Sequence, residues 1–219
     1  MMMTLTEENY LKALFHLSVE NPEVSVLDLS KSLDIKMPTV NSMVKKLASK
    51  GLVRYEKYKP LQLTEEGRRS AGLIIRKHRL VEMFLVEKMG FGWDEVHEVA
   101  EQLEHIRSPK LFRKIDEILN HPKTDPHGSP IPDEKGEIAV QNFVTLSEGS
   151  PGILYRFMAV GSSDDRFLRQ IDRLGFKLGD TIRILETMDF DHSQQVIINE
   201  QIARSFSQQI SANIRVVPA

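Results

Sequence analysis

The amino-acid sequence predicts a mainly α-helical protein with a β-rich C-terminal domain. Apolar residues recur at helical spacing through about residue 119. Residues 121–133 then hold four prolines, which predict a linker. After about residue 140 the pattern changes to short β-rich runs separated by turn residues. Together these three observations predict helical domains first, then a small barrel or sheet.

The composition excludes several kinds of site, and the charge distribution indicates the partners of the chain. The chain has 219 residues, a formal net charge of −2 and no cysteine, which excludes disulfides, zinc ribbons and thiol catalysis. The lack of cysteine fits a reducing cytoplasm, and no apolar run is long enough for a membrane helix. Charge is uneven, at +5 over residues 1–80, −6 over 81–140 and −1 over 141–219. This predicts a module that binds a polyanion next to a module that collects cations.

The first elements are three helices and a hairpin. Leucines at helical spacing predict a first helix with Thr6 as its N-cap. Ser25 is the predicted N-cap of a second helix that ends at Leu33. A third helix is predicted over residues 38–50, because a proline opens it and a glycine follows its end. The alternating segment LVRYEKYKPLQLT then predicts two short strands.

Further helices fill the middle of the chain and strands fill its end. The middle helices are predicted over about residues 64–89, 93–106 and 109–119. The predicted strands are GILYRFMAV, DTIRIL, QQVIIN and NIRVV, with one helix over about residues 165–174. Such an arrangement is typical of a small barrel or sheet.

Two short helices with a tight turn, followed by a hairpin, predict a winged helix-turn-helix that binds double-stranded DNA. The start of the second helix of this motif meets base edges, and the residues there are Pro38, Thr39, Asn41 and Ser42. The predicted phosphate contacts are Lys36, Lys45, Lys46 and Lys50, with Arg54, Lys57 and Lys59 on the wing. Because any small helical bundle can show this pattern, the alternative is a helical domain whose lysines are only solvated.

One helical face in the middle of the chain carries metal-ligand chemistry. His97, Glu101, Glu104 and His105 fall within an arc of about 100° on the predicted helix. His78 and Glu82 form a second pair, four residues apart on the preceding helix. Imidazole with carboxylate oxygen points to a divalent ion such as Mn²⁺ or Fe²⁺. The alternative is a polar face that simply faces water.

Five blocks of sequence, taken in order, resemble the DtxR/MntR family of metal-dependent repressors in its three-domain form. The blocks are TEENYLKALFHL, KMPTVNSMVKKLASKGLVRYEKYKPLQLTEEG, RKHRLVEMFL, VHEVAEQLEHI and HPKTDPHGSPIP. The tail phrase FLRQIDRLGFKLGDTIRIL is similar to the SH3-like (FeoA-type) module of these proteins. The resemblance implies a winged helix-turn-helix over residues 1–73, a helical dimerisation and metal-binding domain with its linker over 74–140, and an SH3-like barrel over 141–219.

The same resemblance implies two metal sites. The primary site would use Asn9 with Glu101, Glu104 and His105. The ancillary site would use His78, Glu82 and His97. Further ligands of the ancillary site would come from Asp125 and His127 in the linker and from Asp164 in the tail.

Three positions depart from the family pattern. Glu101 stands where the iron-responsive branch has cysteine, which favours Mn²⁺ over softer metals. Asn9 replaces a methionine or aspartate and would coordinate through a weaker amide oxygen. Lys12 replaces a carboxylate with which two-domain manganese regulators build a paired-ion site, so the three-domain arrangement is favoured.

The function that the resemblance implies is repression of metal-uptake genes rather than catalysis. A Mn²⁺ or Fe²⁺ corepressor would set the separation of two recognition helices in a cytoplasmic homodimer, which would read a palindromic operator. Two other functions stay open. A winged-helix regulator could act without metal, and a metallohydrolase could use Glu98, which is the only candidate general base that the sequence offers.

Overall fold

The structure is a computed structural model that describes residues 3–175 and 177–219. Met1 and Met2, at the start of the predicted DNA-binding domain, and Phe176, in the predicted C-terminal module, lie outside the described residues. The chain divides into two compact units. The first comprises Met1–Arg79, Glu101–Arg113 and Ile131–Ala139, and the second comprises Leu80–Ala100, Lys114–Pro130 and Val140–Ala219. These units do not follow the three predicted domains, whose boundaries stay a prediction.

The first unit begins with three helices and a hairpin. Its elements are α1 (Leu5–Glu20), α2 (Val26–Leu33), α3 (Met37–Ser49), β1 (Val53–Arg54) and β2 (Gln62–Leu63). The strands pair antiparallel, with Val53 opposite Leu63. Apolar residues three or four positions apart on the helices meet in one core, where Leu14, Leu29 and Val44 are fully buried. The predicted helices and hairpin are therefore present in the predicted order.

The start of α1 differs from the prediction by two residues. Thr4, rather than Thr6, is the N-cap, and it forms a capping box with Glu7. The Thr4 hydroxyl accepts from the Glu7 N–H, and the Glu7 carboxylate accepts from the Thr4 N–H. A capping box requires Glu or Gln three residues after the cap, a condition that Thr6 cannot meet because Asn9 lies there. The Ser25 cap of α2 was predicted correctly.

Three helices follow the hairpin, and the first two of them carry the predicted ligands His78, Glu82, His97 and Glu101. They are α4 (Glu65–Met89), α5 (Val96–Leu103) and α6 (Pro109–Ile118). Within the first unit, α4 packs closely against the end of the linker. A Cβ added at Gly72 would lie 2.0 Å from the carbonyl oxygen of Gly136, so only glycine allows this approach.

The second unit contains the predicted β-rich domain. Its elements are β3 (Val144–Thr145), β4 (Leu154–Val160), α7 (Asp165–Leu174), β5 (Thr181–Thr187), β6 (Gln194–Ile198), β7 (Ile202–Phe206), α8 (Gln208–Ala212) and β8 (Ile214–Pro218). Among the described residues the strands form a six-stranded sheet in the order β3-β8-β4-β5-β6-β7, and each neighbouring pair in this order is antiparallel. The mainly α fold with a β-rich C-terminal domain is thus confirmed.

The sequence pattern did not reveal every element of this sheet. β7 was missed because three of its five residues are exposed, and only Phe206 is buried. An edge strand with so little buried surface has a weak hydrophobic alternation. In the part of the chain that the structure describes, we find no helix that is long and apolar enough to cross a membrane.

Candidate metal centres and DNA-binding surface

Helix α1 presents polar side chains to residues at the end of α5. Tyr10, Leu11 and Leu14 are buried and fix the orientation of α1 in the core of the first unit. The polar residues Glu8 and Lys12 lie one turn apart on the same helix. They contact a group that we call the Lys12 cluster, whose members are Glu8, Lys12, His78, Glu101, Glu104 and His105.

Glu104 lies at the centre of the Lys12 cluster. Its side chain is fully buried, and its carboxylate oxygens lie 2.7 and 2.9 Å from Nζ of Lys12. Oε2 of Glu104 also lies 2.5 Å from Nδ1 of His78. Burial raises the pKa of Glu104, but the hydrogen bond from His78 and the charge of Lys12 outweigh burial and lower that pKa below its usual range. Glu104 is therefore held as a carboxylate.

Glu8 orients the ring of His105. Oε2 of Glu8 lies 2.7 Å from Nδ1 of His105, and since a carboxylate only accepts, Nδ1 carries the proton. The other ring nitrogen, Nε2, lies 3.6 Å from Oε1 of Glu104. Metal-binding histidines are commonly held in this way, with one nitrogen donating to a carboxylate and the other available to an ion.

Asn9 supplies an unsatisfied oxygen on the same helix. Its Oδ1 atom is buried and has no hydrogen-bond partner among the described residues. A buried acceptor without a partner is costly, and a bound cation would remove that cost. The donor chemistry of Asn9, Glu101, Glu104 and His105 therefore fits a divalent ion.

A second group of ligand-type residues lies in the second unit. This His127 cluster consists of Glu82, His97, Asp125 and His127. One ligand atom from each of Glu82, Asp125 and His127 lies within 4.8 Å of the others. Nδ1 of His97 lies 3.5 Å from Oε1 of Glu82, and the His97 side chain is 53% exposed. Glu82 and Asp125 are thus buried, His127 is partly buried, and His97 is open to solvent.

The backbone carbonyl of Trp93 determines which ring nitrogen of His127 carries the proton. Nε2 of His127 lies 2.9 Å from the Trp93 carbonyl oxygen, which can only accept, so Nε2 carries the proton. Nδ1 then faces Oε2 of Glu82 at 3.9 Å and Oδ1 of Asp125 at 4.0 Å. The Trp93 and His127 rings stack with centroids 6.0 Å apart. His127 is therefore held with its free nitrogen toward two carboxylates.

The loop that carries Asp125 and His127 is fixed to the sheet. Oδ1 of Asp125 accepts from the backbone N–H groups of His127 and Ser129. The Val160 N–H in β4 donates to the His127 carbonyl oxygen at 2.9 Å. Gly128 has a positive φ of 88°, and a Cβ there would lie 2.1 Å from the Met158 carbonyl oxygen. The TDPHG phrase therefore needs its glycine, both for conformation and for this close approach.

The predicted ligands thus fall into two groups. The Lys12 cluster contains Glu101, Glu104 and His105, which were predicted for the primary site, together with His78, which was predicted for the ancillary site. The His127 cluster brings Glu82 close to His97, Asp125 and His127, which were all predicted for the ancillary site. Asp164 is the N-cap of α7, and Arg166 binds both of its carboxylate oxygens, at 3.1 and 2.7 Å. The hydrogen bonds from Arg166 also lower the pKa of Asp164.

Two residues of the Lys12 cluster were missed as site residues. Glu8 was not predicted to be part of a site, and Lys12 was noted only for replacing a carboxylate. Both follow from the helical period, since they lie one residue before and three residues after Asn9 and therefore share its side of α1.

The predicted DNA-binding residues lie mostly on the surface of the first unit. Pro38, Thr39, Ser42 and Lys45 are exposed on α3, and Asn41 is partly exposed. The exposed residues on the wing and at the start of α3 are Arg54, Lys57, Lys59 and Lys36. Nζ of Lys57 lies 4.8 Å from the centre of the Tyr58 ring, and Lys59 pairs with Glu56. Lys46 differs from Lys45, because it lies 3.2 Å from the buried carboxylate of Glu7.

Two family models match the chain. Residues 2–61 match the iron-dependent repressor N-terminal DNA-binding domain, and residues 64–133 match the iron-dependent repressor metal-binding and dimerisation domain. Among curated proteins, the iron-dependent repressor IdeR of Mycobacterium tuberculosis is 39% identical over 127 residues, which is 58% of this chain and 55% of IdeR. The diphtheria toxin repressor of Corynebacterium diphtheriae is 33% identical over 133 residues, which is 60% of this chain and 59% of the repressor. The aligned part of the chain thus spans little more than half the length of these relatives.

Solved structures match over nearly the whole chain. A manganese-dependent transcriptional repressor in complex with manganese superposes with a TM-score of 0.85 at 31% identity, covering 97% of this chain and 100% of that one. ScaR with bound Cd²⁺ superposes with a TM-score of 0.78 at 33% identity, covering 97% and 99%. The manganese regulator SloR superposes with a TM-score of 0.75 at 30% identity, covering 99% and 100%.

Proposed function

This chain belongs to the family of iron-dependent repressors, and from that we propose that it is a divalent-metal-dependent transcriptional repressor. The observation that carries the proposal is that α1 contacts both the end of α3, the proposed recognition helix, and the Lys12 cluster, where a metal would bind. Glu7 lies 2.6 Å from Lys50, which follows α3, and five residues later Lys12 contacts Glu104 of the Lys12 cluster. A change of charge in the cluster would therefore act directly on the helix against which α3 packs.

The metal would be held by two sets of residues. Glu82, His97, Asp125 and His127 form one set, and Asn9, Glu101, Glu104 and His105 form the other. The bound ion would supply positive charge that neutralises the carboxylates and links separate parts of the chain. The chain itself supplies the orientation, since Glu8 directs His105 and the Trp93 carbonyl directs His127.

Oxygen-rich donors favour manganese or iron. Both sets combine carboxylates with imidazoles, and the chain has no cysteine. Such donors suit Mn²⁺ and Fe²⁺ better than they suit the softer metals. We therefore propose Mn²⁺ as the corepressor, with Fe²⁺ as the alternative. We expect Zn²⁺ to bind more tightly than either ion in vitro, because raw affinity rises along the first-row series.

The DNA-bound form is proposed to be a homodimer on a palindromic operator. One α3 helix per protomer would enter the major groove with Pro38, Thr39, Asn41 and Ser42 toward the bases. Two recognition helices can read one palindrome only if their separation matches the helical repeat of DNA. Metal binding would favour the dimer geometry with that separation, by its higher affinity for that state. The output would be repression of metal-uptake genes in the cytoplasm.

A metal titration of DNA binding tests this function. A pool of random duplexes is first enriched on the protein with Mn²⁺ present, and the selected duplex is then titrated with Mn²⁺, with Fe²⁺, with Zn²⁺ and with a chelator at fixed ionic strength. We expect strong binding with Mn²⁺ or Fe²⁺ and weak binding with chelator. Equal affinity in Mn²⁺ and chelator would instead identify a metal-independent regulator. Hydrolysis of an ester or phosphoester by the Mn²⁺ form would identify a metallohydrolase, although the named relatives are repressors.

A further inference from the structure

A lysine ammonium lies among the oxygens that would bind the metal. Lys12 is only 9% exposed, and its Nζ contacts Oε1 of Glu101 and both carboxylate oxygens of Glu104. Both glutamates belong to the proposed ligand set. The side chain is anchored because α1 is fixed in the core by Tyr10 and Leu11. The ammonium is therefore a built-in feature of this cluster and not a mobile surface charge.

The charge of the cluster explains why a cation is needed there. Glu8, Glu101 and Glu104 bring three carboxylates together, and Glu104 is fully buried. Buried carboxylates are tolerated only when they are paired and hydrogen-bonded. Lys12 provides one positive charge and three donors, and it links α1 to the end of α5. In this respect it does what a bound metal ion would do.

An ammonium and a metal ion cannot use the same oxygens together. A divalent ion bound to Glu101 and Glu104 would lie beside Nζ of Lys12, and two positive charges so close in a buried site repel strongly. The ion would also take the lone pairs that accept the lysine protons. Binding of the ion therefore requires the ammonium to leave.

We propose that Lys12 is an internal competitor of the metal at this cluster. The inference rests on the proposed function and adds a regulatory element to it. The tethered ammonium lowers the affinity of Asn9, Glu101, Glu104 and His105 for a divalent ion, and so sets the metal concentration at which this site fills. Metal binding then replaces the link that Lys12 makes between α1 and the end of α5 with a link through the ion and Asn9.

The test measures Mn²⁺ binding directly and needs no DNA. The background carries Asp125→Ala and His127→Ala, which disable the His127 cluster, so that the remaining binding reports on the Lys12 cluster. Free Mn²⁺ is measured by electron paramagnetic resonance while Mn²⁺ alone is added. Loss of the binding on adding Glu104→Gln assigns the signal to the Lys12 cluster.

Lys12→Met removes the charge but keeps an apolar stem, and we expect its dissociation constant for Mn²⁺ to fall at least tenfold. Lys12→Arg keeps the charge and should show no such gain. Lys50→Met is the matched control, because Lys50 also pairs with a buried carboxylate of the first unit but lies outside the cluster. An unchanged dissociation constant in Lys12→Met would overturn the proposal.

Loss of Lys12 also leaves buried carboxylates without their cation, so Lys12→Met could unfold without metal. In that case Lys12→Gln is used, and the rise in melting temperature caused by Mn²⁺ is compared with that of the background. A larger rise supports competition, and an equal or smaller rise contradicts it. Failure of the proposed function is seen separately, as DNA binding by the unmodified chain that does not respond to Mn²⁺.

Discussion

Glu7 and Lys50 form an ion pair of 2.6 Å that ties the first turn of α1 to the residue after α3. The Glu7 side chain is fully buried, and Lys46 lies 3.2 Å from the same oxygen. Burial alone raises the pKa of Glu7, but the two ammonium groups and the Thr4 N–H outweigh it and lower the pKa to about 2. Helix α3, the proposed recognition helix, is therefore anchored by charge to α1, which also carries Asn9 and Lys12.

Removal of the negative charge of Glu7 should destabilise the first unit. Glu7→Gln keeps the capping box, which accepts either Glu or Gln, and removes only the ion pairs. We expect a loss of roughly 1–3 kcal/mol in the free energy of unfolding at neutral pH, measured by urea denaturation. Glu56→Gln, which breaks the exposed pair with Lys59, is the control and should cost less than about 1 kcal/mol.

The pH dependence of this loss has a definite sign. The pKa of Glu7 is lower in the folded chain than its ordinary value of 4.5, so its contribution is complete above pH 4.5 and disappears as the pH falls toward 2. The stability difference between the original chain and Glu7→Gln should therefore shrink from pH 5 downward. A difference that stays constant between pH 7 and pH 3 would show that Glu7 acts through packing and not through charge.

Neighbouring lysines on α3 should affect DNA binding unequally. Lys45 is exposed, whereas Lys46 is already paired with Glu7. Lys45→Gln should weaken binding on all duplexes alike and reduce the slope of log affinity against log salt by about one. Lys46→Gln should have a smaller effect on that slope, because part of its charge is neutralised within the protein. Equal slopes for the two variants would contradict this, and a loss confined to the selected duplex would mean that Lys45 reads bases.

Helical periodicity accounts for what the sequence predicted of the metal sites. Glu101 lies in the last turn of α5, and Glu104 and His105 follow that helix directly, so their spacing in the sequence already predicts that they lie close together. Contacts between distant segments have no such local signal. The pairing of His78 with Glu104 and of Glu8 with His105 depends on how α1 and α4 pack in the first unit. Such packing cannot be predicted from the spacing of residues within one helix.

Similar reasoning explains the errors in the fold. The cap of α1 was placed at Thr6 because the first leucines suggested a helix, but the reciprocal pair Thr4 and Glu7 determines where the helix begins. Strand β7 was missed because it has an exposed middle, so its place in the sheet comes from backbone pairing with β6. In both cases specific hydrogen-bond partners determine where the element lies, and the hydrophobic pattern of the sequence does not show those partners.

His127 should be needed for metal binding in the second unit. Its free Nδ1 faces Glu82 and Asp125, so His127→Ala should lower Mn²⁺ affinity at this cluster at least tenfold, measured by isothermal titration calorimetry. The control is His192→Asn, which changes an exposed histidine with a φ of 54°, because asparagine tolerates that conformation. Full affinity in His127→Ala would remove the residue from the proposed ligand set.

Glu8 should act on the metal through His105 without binding it. A carboxylate that accepts from Nδ1 holds the ring in place and makes Nε2 a better ligand, so Glu8→Gln should weaken Mn²⁺ binding at the Lys12 cluster by roughly 10–100-fold. The measurement uses electron paramagnetic resonance in the Asp125→Ala and His127→Ala background. Glu23→Gln, on an exposed residue near the end of α1, is the matched control for loss of one negative charge. If both variants weaken binding equally, Glu8 acts only through the overall charge of the unit; if neither does, His105 does not depend on Glu8 for its orientation.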